Sequence, residues 1–198
     1  MIIKGFFSAL IALAVLVQPT SADETCMSPY MAKIVGQEDY VYIWTLGLEG
    51  VGDGEDKLVT VDVNPDSKTY AQVIHSISMG GRHEAHHSGL TDDRRYLWAS
   101  GLDTSKIFIF DVHTDPAAPK LHRTIDDFVE KTGGVVGPHT NYALPGRMLI
   151  TGLSNNRDHG GRTGMAEYTN GGDFITSVWM PTDDNLQGAE KSGSFADG

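Results

Sequence analysis

A unit of about 50 residues recurs along this chain, and that recurrence restricts the fold more than any other feature. Lys57-Leu-Val-Thr-Val-Asp-Val63, a proline turn and Ala71-Gln-Val-Ile-His75 read as one hairpin. Lys106-Ile-Phe-Ile-Phe-Asp-Val112, a proline turn and Lys120-Leu-His-Arg-Thr-Ile125 repeat it 49 positions later. A second match joins His87-Ser-Gly-Leu90 and Arg95-Tyr-Leu97 to His139-Thr-Asn-Tyr142 and Arg147-Met-Leu149. Its histidines and its strand leucines both lie 52 positions apart. A repeat of this length built from four short strands has the pattern of a propeller blade. The competing architecture is a small β-sandwich whose hairpins merely resemble one another.

Local chemistry agrees with an all-β chain. Strands are expected at Tyr40–Leu46, Lys57–Val63, Ala71–Ser78, Tyr96–Ser100, Lys106–Val112, Lys120–Thr124, Met148–Gly152, Met165–Tyr168 and Asp173–Trp179. The clearest, around Leu58 and Ile107, are rich in β-branched and aromatic residues, which suit a pleated, half-buried surface. Asn64-Pro65-Asp66, Asp115-Pro116 and Asn170-Gly171-Gly172 supply turns between them. Only Asp126–Lys131 reads as a helix, and it is short. The pattern fills two to three blades, fewer than the four or so that a closed ring needs. The expectation is therefore the N-terminal part of a longer propeller, because an isolated arc would leave open strand edges.

The first 22 residues belong to a different regime. Lys4 precedes an apolar run from Phe6 to Val17, Pro19 breaks it, and Thr20-Ser21-Ala22 offers small residues for cleavage. About a dozen apolar residues are too few to span a bilayer. Residues 1–22 are thus expected to be a cleavable signal peptide, with residues 23–198 forming the propeller part outside the cytoplasm, in the periplasm. The net charge is −11, with no Lys/Arg cluster, which argues against nucleic acid and against anionic membrane surfaces as partners. Cys26 is the only cysteine, so no intrachain disulfide forms. It could serve as a reactive thiol or soft ligand, but its nearness to the mature N-terminus favours disorder.

Histidine carries the chemistry. In a propeller, equivalent positions of successive blades share a radius, so His87 and His139 should approach one axis, with His86 beside them. Imidazoles suit zinc, copper, iron or nickel, with affinity peaking at copper. Adjacent residues of a strand point to opposite faces, so either His86-His87 lies in a loop or only one of them ligates. His83 and Glu84 are candidates to support the ligands. His75, His113, His122 and His159 read as ordinary hydrogen-bonding groups. The Asn155–His159 stretch offers oxygens in an order that fits no calcium loop.

These segments resemble a known family. Asp56–Pro65, Gln72–His75, Glu84–Gly89, Ala117–His122, Gly137–Thr140 and Gly146–Leu153 are similar to the selenium-binding proteins, and Cys26–Gly47 with the signal resembles the exported bacterial branch, which contains methanethiol oxidases. The resemblance covers nearly the whole mature chain but at most half of a complete member. It implies a seven-bladed propeller with copper at the channel, held here by His86, His87 and His139. It also implies oxidation of methanethiol by oxygen and water to formaldehyde, hydrogen sulfide and hydrogen peroxide. Two positions depart from the pattern. Ala71 stands where animal members carry a cysteine linked to selenium, which argues against selenium binding there. Tyr142-Ala143 replaces a His-Cys found in many members, which leaves the ligand number open. Copper binds thiolates and exchanges electrons with oxygen, so the implied partners are a small thiol and O2. A chain ending at Gly198 is expected to hold copper poorly and to lack activity. A non-catalytic propeller binding selenium, thiols, metal or a protein, and a calcium lactonase, are the competing readings. Homo-oligomerisation is left open.

Overall fold

The computed structural model describes residues 28–155 and 161–181. Eleven strands and one helical turn follow each other as β1 Tyr40–Thr45, β2 Lys57–Asp62, β3 Val73–Ser78, β4 Ala85–Leu90, β5 Tyr96–Gly101, β6 Lys106–Asp111, β7 Lys120–Ile125, α1 Phe128–Lys131, β8 Val136–Leu144, β9 Arg147–Ser154, β10 Gly164–Thr169 and β11 Phe174–Trp179. They make three antiparallel meanders, β1-β2-β3, β4-β5-β6-β7 and β8-β9-β10-β11, with no strand exchanged between sheets. All nine expected strands and the short helix are present. β4 and β8 were not expected as strands; they are rich in Gly, Pro and His rather than in β-branched residues.

Burial explains why the sheets stack. The second sheet is apolar on both faces, and each of its central strands sends alternate residues in opposite directions. Leu97, Ala99, Phe108 and Phe110 meet Leu58, Tyr42, Trp44 and Ile77 of the first sheet. Trp98, Ile107 and Ile109 meet Met148, Ile150, Ala166 and Tyr168 of the third. Two such layers of face-to-face sheets, each sheet a consecutive meander, are propeller blades packed side by side.

The 49-residue hairpin repeat holds in detail. β2–β3 and β6–β7 both carry a register shift, at Thr60/Val61 and at Ile109/Phe110, again 49 positions apart. β1 to β3 therefore correspond to β5 to β7, and the first sheet has no counterpart of β4 among the described residues. The 52-residue match needs correction. Pairing and packing align Leu97 with Met148 and Ala99 with Ile150, both pairs facing the preceding sheet. On the inner strands Ser88, opposite Ala99, aligns with Asn141, opposite Ile150. His139 is thus the counterpart of His86, not of His87. The offset differs because the paired residues Ser88 and Ala99 lie 11 positions apart along the chain and Asn141 and Ile150 only 9, so a constant spacing averages two different ones.

Candidate metal centre

β4 and β8 occupy the same position at one edge of their sheets, and both are interrupted at the histidines. Four residues, Ala85 to Ser88, span the distance that three, Gly101 to Ala99, cover on β5. Pro138 to Asn141 does the same against Gly152 to Ile150. An extra residue of this kind is a β-bulge, which breaks the alternation of side chains and re-aims them. That resolves the neighbouring pair: His86 and His87 lie within a strand, yet the bulge lets both turn towards His139. Their nitrogens and that of His139 all lie within 4.8 Å of one another. His86 Nε2 is 3.0 Å from His139 Nε2, close enough to share a proton. The ring centroids are 4.2 Å apart for His87 and His139 and 4.7 Å apart for His86 and His139.

Burial lowers the pKa of His87, and the adjacent His86 charge lowers it further. Both causes favour the neutral imidazole, the form that ligates a metal. Thr140 Oγ1 lies 3.4 Å from His139 Nδ1, leaving Nε2 to face the cluster. Glu84 lies nearby with its carboxyl pKa raised, chiefly by a hydrogen bond shared with Asp103, then by burial and by the Asp103 charge.

The other histidines are engaged elsewhere. His83, expected to support the ligands, instead has Nδ1 3.0 Å from Thr104 Oγ1 and packs edge-on against Phe108. His75 Nε2 pairs with the Pro119 carbonyl, and His122 lies against the Tyr96 ring. The amide of His113 donates to Asp111. Tyr142 pairs with Leu149 across the ladder and faces away from the second sheet. Residues 1–22, Cys26 and His159 lie outside the described residues.

Sequence reasoning missed Asn141 and Ser100. Asn141 is 8% exposed and Ser100 fully buried. The Asn141 amide donates from Nδ2 to Ser100 Oγ at 3.0 Å, to the His87 carbonyl at 3.3 Å and to the His139 carbonyl at 3.4 Å. Polar residues within an apolar strand environment were the available signal. Gly89 completes the arrangement: a Cβ there would sit 2.6 Å from the Asn141 carbonyl oxygen. The two inner strands meet this closely only because glycine has no side chain.

The molecule is therefore an arc of β-propeller blades whose inner strands bring three imidazoles together across a blade boundary. Comparison with known proteins gives the particular family. The sequence profile of the 56 kDa selenium-binding protein family (SBP56) matches residues 20–185, and the chain belongs to that family. It is 63% identical over 178 residues to a methanethiol oxidase of Ruegeria pomeroyi, covering 89% of this chain and 41% of that protein. It is 57% identical over 189 residues to a methanethiol oxidase of a Hyphomicrobium species, covering 93% and 43%. A selenium-binding protein 2 of Arabidopsis thaliana is 36% identical over 143 residues, covering 65% and 29%. Among solved structures, a hypothetical selenium-binding protein of Sulfolobus tokodaii superposes with a TM-score of 0.62 at 29% identity, covering 72% of this chain and 34% of that one. The chain spans about two fifths of the length of the bacterial relatives it matches.

Proposed function

We propose that this chain contributes the copper-binding part of a methanethiol oxidase. The observation that carries the reading is the convergence of His86, His87 and His139 from two bulged inner strands, in a chain 57% and 63% identical to two methanethiol oxidases. The donor set fits the ion. Metal–imidazole bonds of about 2.0 Å place donors on one ion roughly 3 Å apart, and His86 Nε2 and His139 Nε2 stand 3.0 Å apart. Neutral nitrogen donors suit copper best among the common divalent ions.

Bound there, copper would favour the thiolate of a small thiol and supply one-electron exchange with O2. The reaction balances as methanethiol plus dioxygen plus water giving formaldehyde, hydrogen sulfide and hydrogen peroxide, each taken once. The carbon is oxidised and dioxygen takes up the two electrons. The residues of this chain hold the ion and set its surroundings. Partial desolvation, and then the adjacent His86 charge, favour the neutral form of His87. Glu84, its carboxyl hydrogen-bonded to Asp103, places an acidic group near His86. The Met1–Ala22 pattern supports export, which would release peroxide and sulfide outside the cytoplasm.

The test uses the full chain and the corresponding full-length protein, each loaded with copper(II). Bound copper is measured by chelator competition, and peroxide release is followed on adding methanethiol. His87→Ala and His139→Ala should each lose copper affinity and, in the full-length protein, thiol-dependent peroxide. Copper-loaded full-length protein that yields no peroxide would refute the oxidase and leave a binding propeller.

A further inference from the structure

The bulges that bring the histidines together also interrupt the pairing of both inner strands. An extra residue in one strand of a ladder interrupts its regular hydrogen bonding. On β4 the interrupted stretch is His86-His87; on β8 it is His139-Thr140. The Thr140 amide is satisfied by Thr151 Oγ1 at 3.1 Å. The carbonyls of His87 and His139 are both served by one group, Nδ2 of Asn141. A single buried amide therefore bridges the backbones of the two ligand-bearing residues, one in each of two adjacent blades.

That amide is itself held in place. Ser100 Oγ accepts from Asn141 Nδ2 at 3.0 Å and lies 3.3 Å from Oδ1. The Ser100 carbonyl accepts from Trp44 Nε1 at 3.0 Å, so the chain Trp44–Ser100–Asn141 crosses all three sheets. Gly89 lets the Asn141 backbone approach β4 without collision.

From this geometry, and resting on the copper reading above, we infer that Asn141 is the positioning residue of the metal centre: it fixes the separation of the two histidine-bearing strands. It touches neither metal nor substrate. It acts by setting where the imidazoles start, and outer groups of this kind typically alter metal affinity about 10–100-fold.

Two variants separate this role from general stability. Asn141→Ala removes the bridge. Asn141→Asp keeps the shape but places a carboxylate oxygen against two carbonyl oxygens. In the full chain, copper(II) affinity is measured by chelator competition, nitrogen ligation by electron paramagnetic resonance, and unfolding of the metal-free form by circular dichroism. Both variants should bind copper about 10–100-fold more weakly, with altered nitrogen hyperfine structure. The decisive arm repeats Asn141→Ala in a His139→Ala background. Once all ligands come from β4, strand separation no longer matters, so Asn141→Ala should change affinity by less than about twofold. A purely structural residue would weaken binding equally in both backgrounds, and that result overturns the inference. So does wild-type affinity in Asn141→Ala. If Asn141→Ala fails to fold, Ser100→Ala, which releases one anchor of the amide, should still loosen copper several-fold, and an unchanged affinity there also overturns it. An unsubstituted chain that binds no copper overturns the metal reading itself, an outcome distinct from the others.

Discussion

Replacing Gly89 by alanine tests the contact between β4 and β8 directly. A Cβ at position 89 would lie 2.6 Å from the Asn141 carbonyl oxygen, 3.2 Å from Asn141 Cβ and 3.4 Å from Asn141 C. Ordinary contact begins near 3.4 Å, and two of these three atoms are backbone, so no flexible side chain can yield. The inner strands must separate by roughly 0.8 Å, the shortfall of the 2.6 Å approach from that limit. Overpacking of this kind costs about 1–3 kcal/mol, and each kcal/mol lowers Tm by about 2–4 °C at this chain size. A loss of about 2–12 °C follows for the metal-free protein, measured by circular dichroism. The same displacement carries His139 away from His86, whose Nε2 atoms start 3.0 Å apart. Copper affinity should therefore fall further than stability alone accounts for, and Gly89→Ser should behave like Gly89→Ala. A variant that melts with the wild type and binds copper as tightly would show that the strands are not in forced contact.

Two further outcomes follow from packing and charge. Trp98 is fully buried between the second and third sheets and donates from Nε1 to the Asn170 carbonyl at 3.1 Å. Trp98→Ala should cost about 3–5 kcal/mol, seen as a lower urea midpoint, whereas Trp98→Phe should recover most of the packing. Asp62 accepts hydrogen bonds from Ser67 and Thr69, which hold its carboxyl below the usual range, and from the Asn64 amide. A depressed carboxylate pKa stabilises the fold above the unfolded value of about 3.9, and that contribution disappears as pH falls through the folded value. Between about pH 5 and pH 3, wild type should lose urea resistance more steeply than Ser67→Ala; parallel curves would refute the assignment.

The strands that form the blade bodies were legible because their chemistry is local. Leu58 to Val61 and Ile107 to Phe110 carry β-branched and aromatic side chains in alternation, and the turns between hairpins announce themselves through Asn, Asp, Pro and Gly. β4 and β8 were hidden because their residues serve close approach and ligation. Gly89 is there to admit a neighbouring backbone, and Gly137, at φ 65°, adopts a conformation open mainly to glycine. The histidine cluster was legible as a recurrence in spacing, but its geometry was not. Spacing alone paired His87 with His139, because it could not see that one hairpin is two residues longer in register than the other, 11 positions between paired residues against 9. The bulges that resolve the His86-His87 alternation depend on pairing partners nine to sixteen residues away, and Asn141 depends on contacts with a different blade.

β1 has a consequence beyond the site. Its hexamer Tyr-Val-Tyr-Ile-Trp-Thr contains no charge and no proline, and no other described strand pairs with its outer edge. Val41 and Ile43 are 45% and 43% exposed on the face away from the second sheet. Short uncharged segments of this composition, with free backbone donors and acceptors, are adhesive towards their own copies. What opposes association is colloidal: a net charge of −11 makes one molecule repel the next. That repulsion acts over about 30 Å at about 0.01 M salt but only about 3 Å at about 1 M. Dispersal of this arc of blades in water is thus a balance between a sticky seam and a long-range field, and ionic strength sets which prevails.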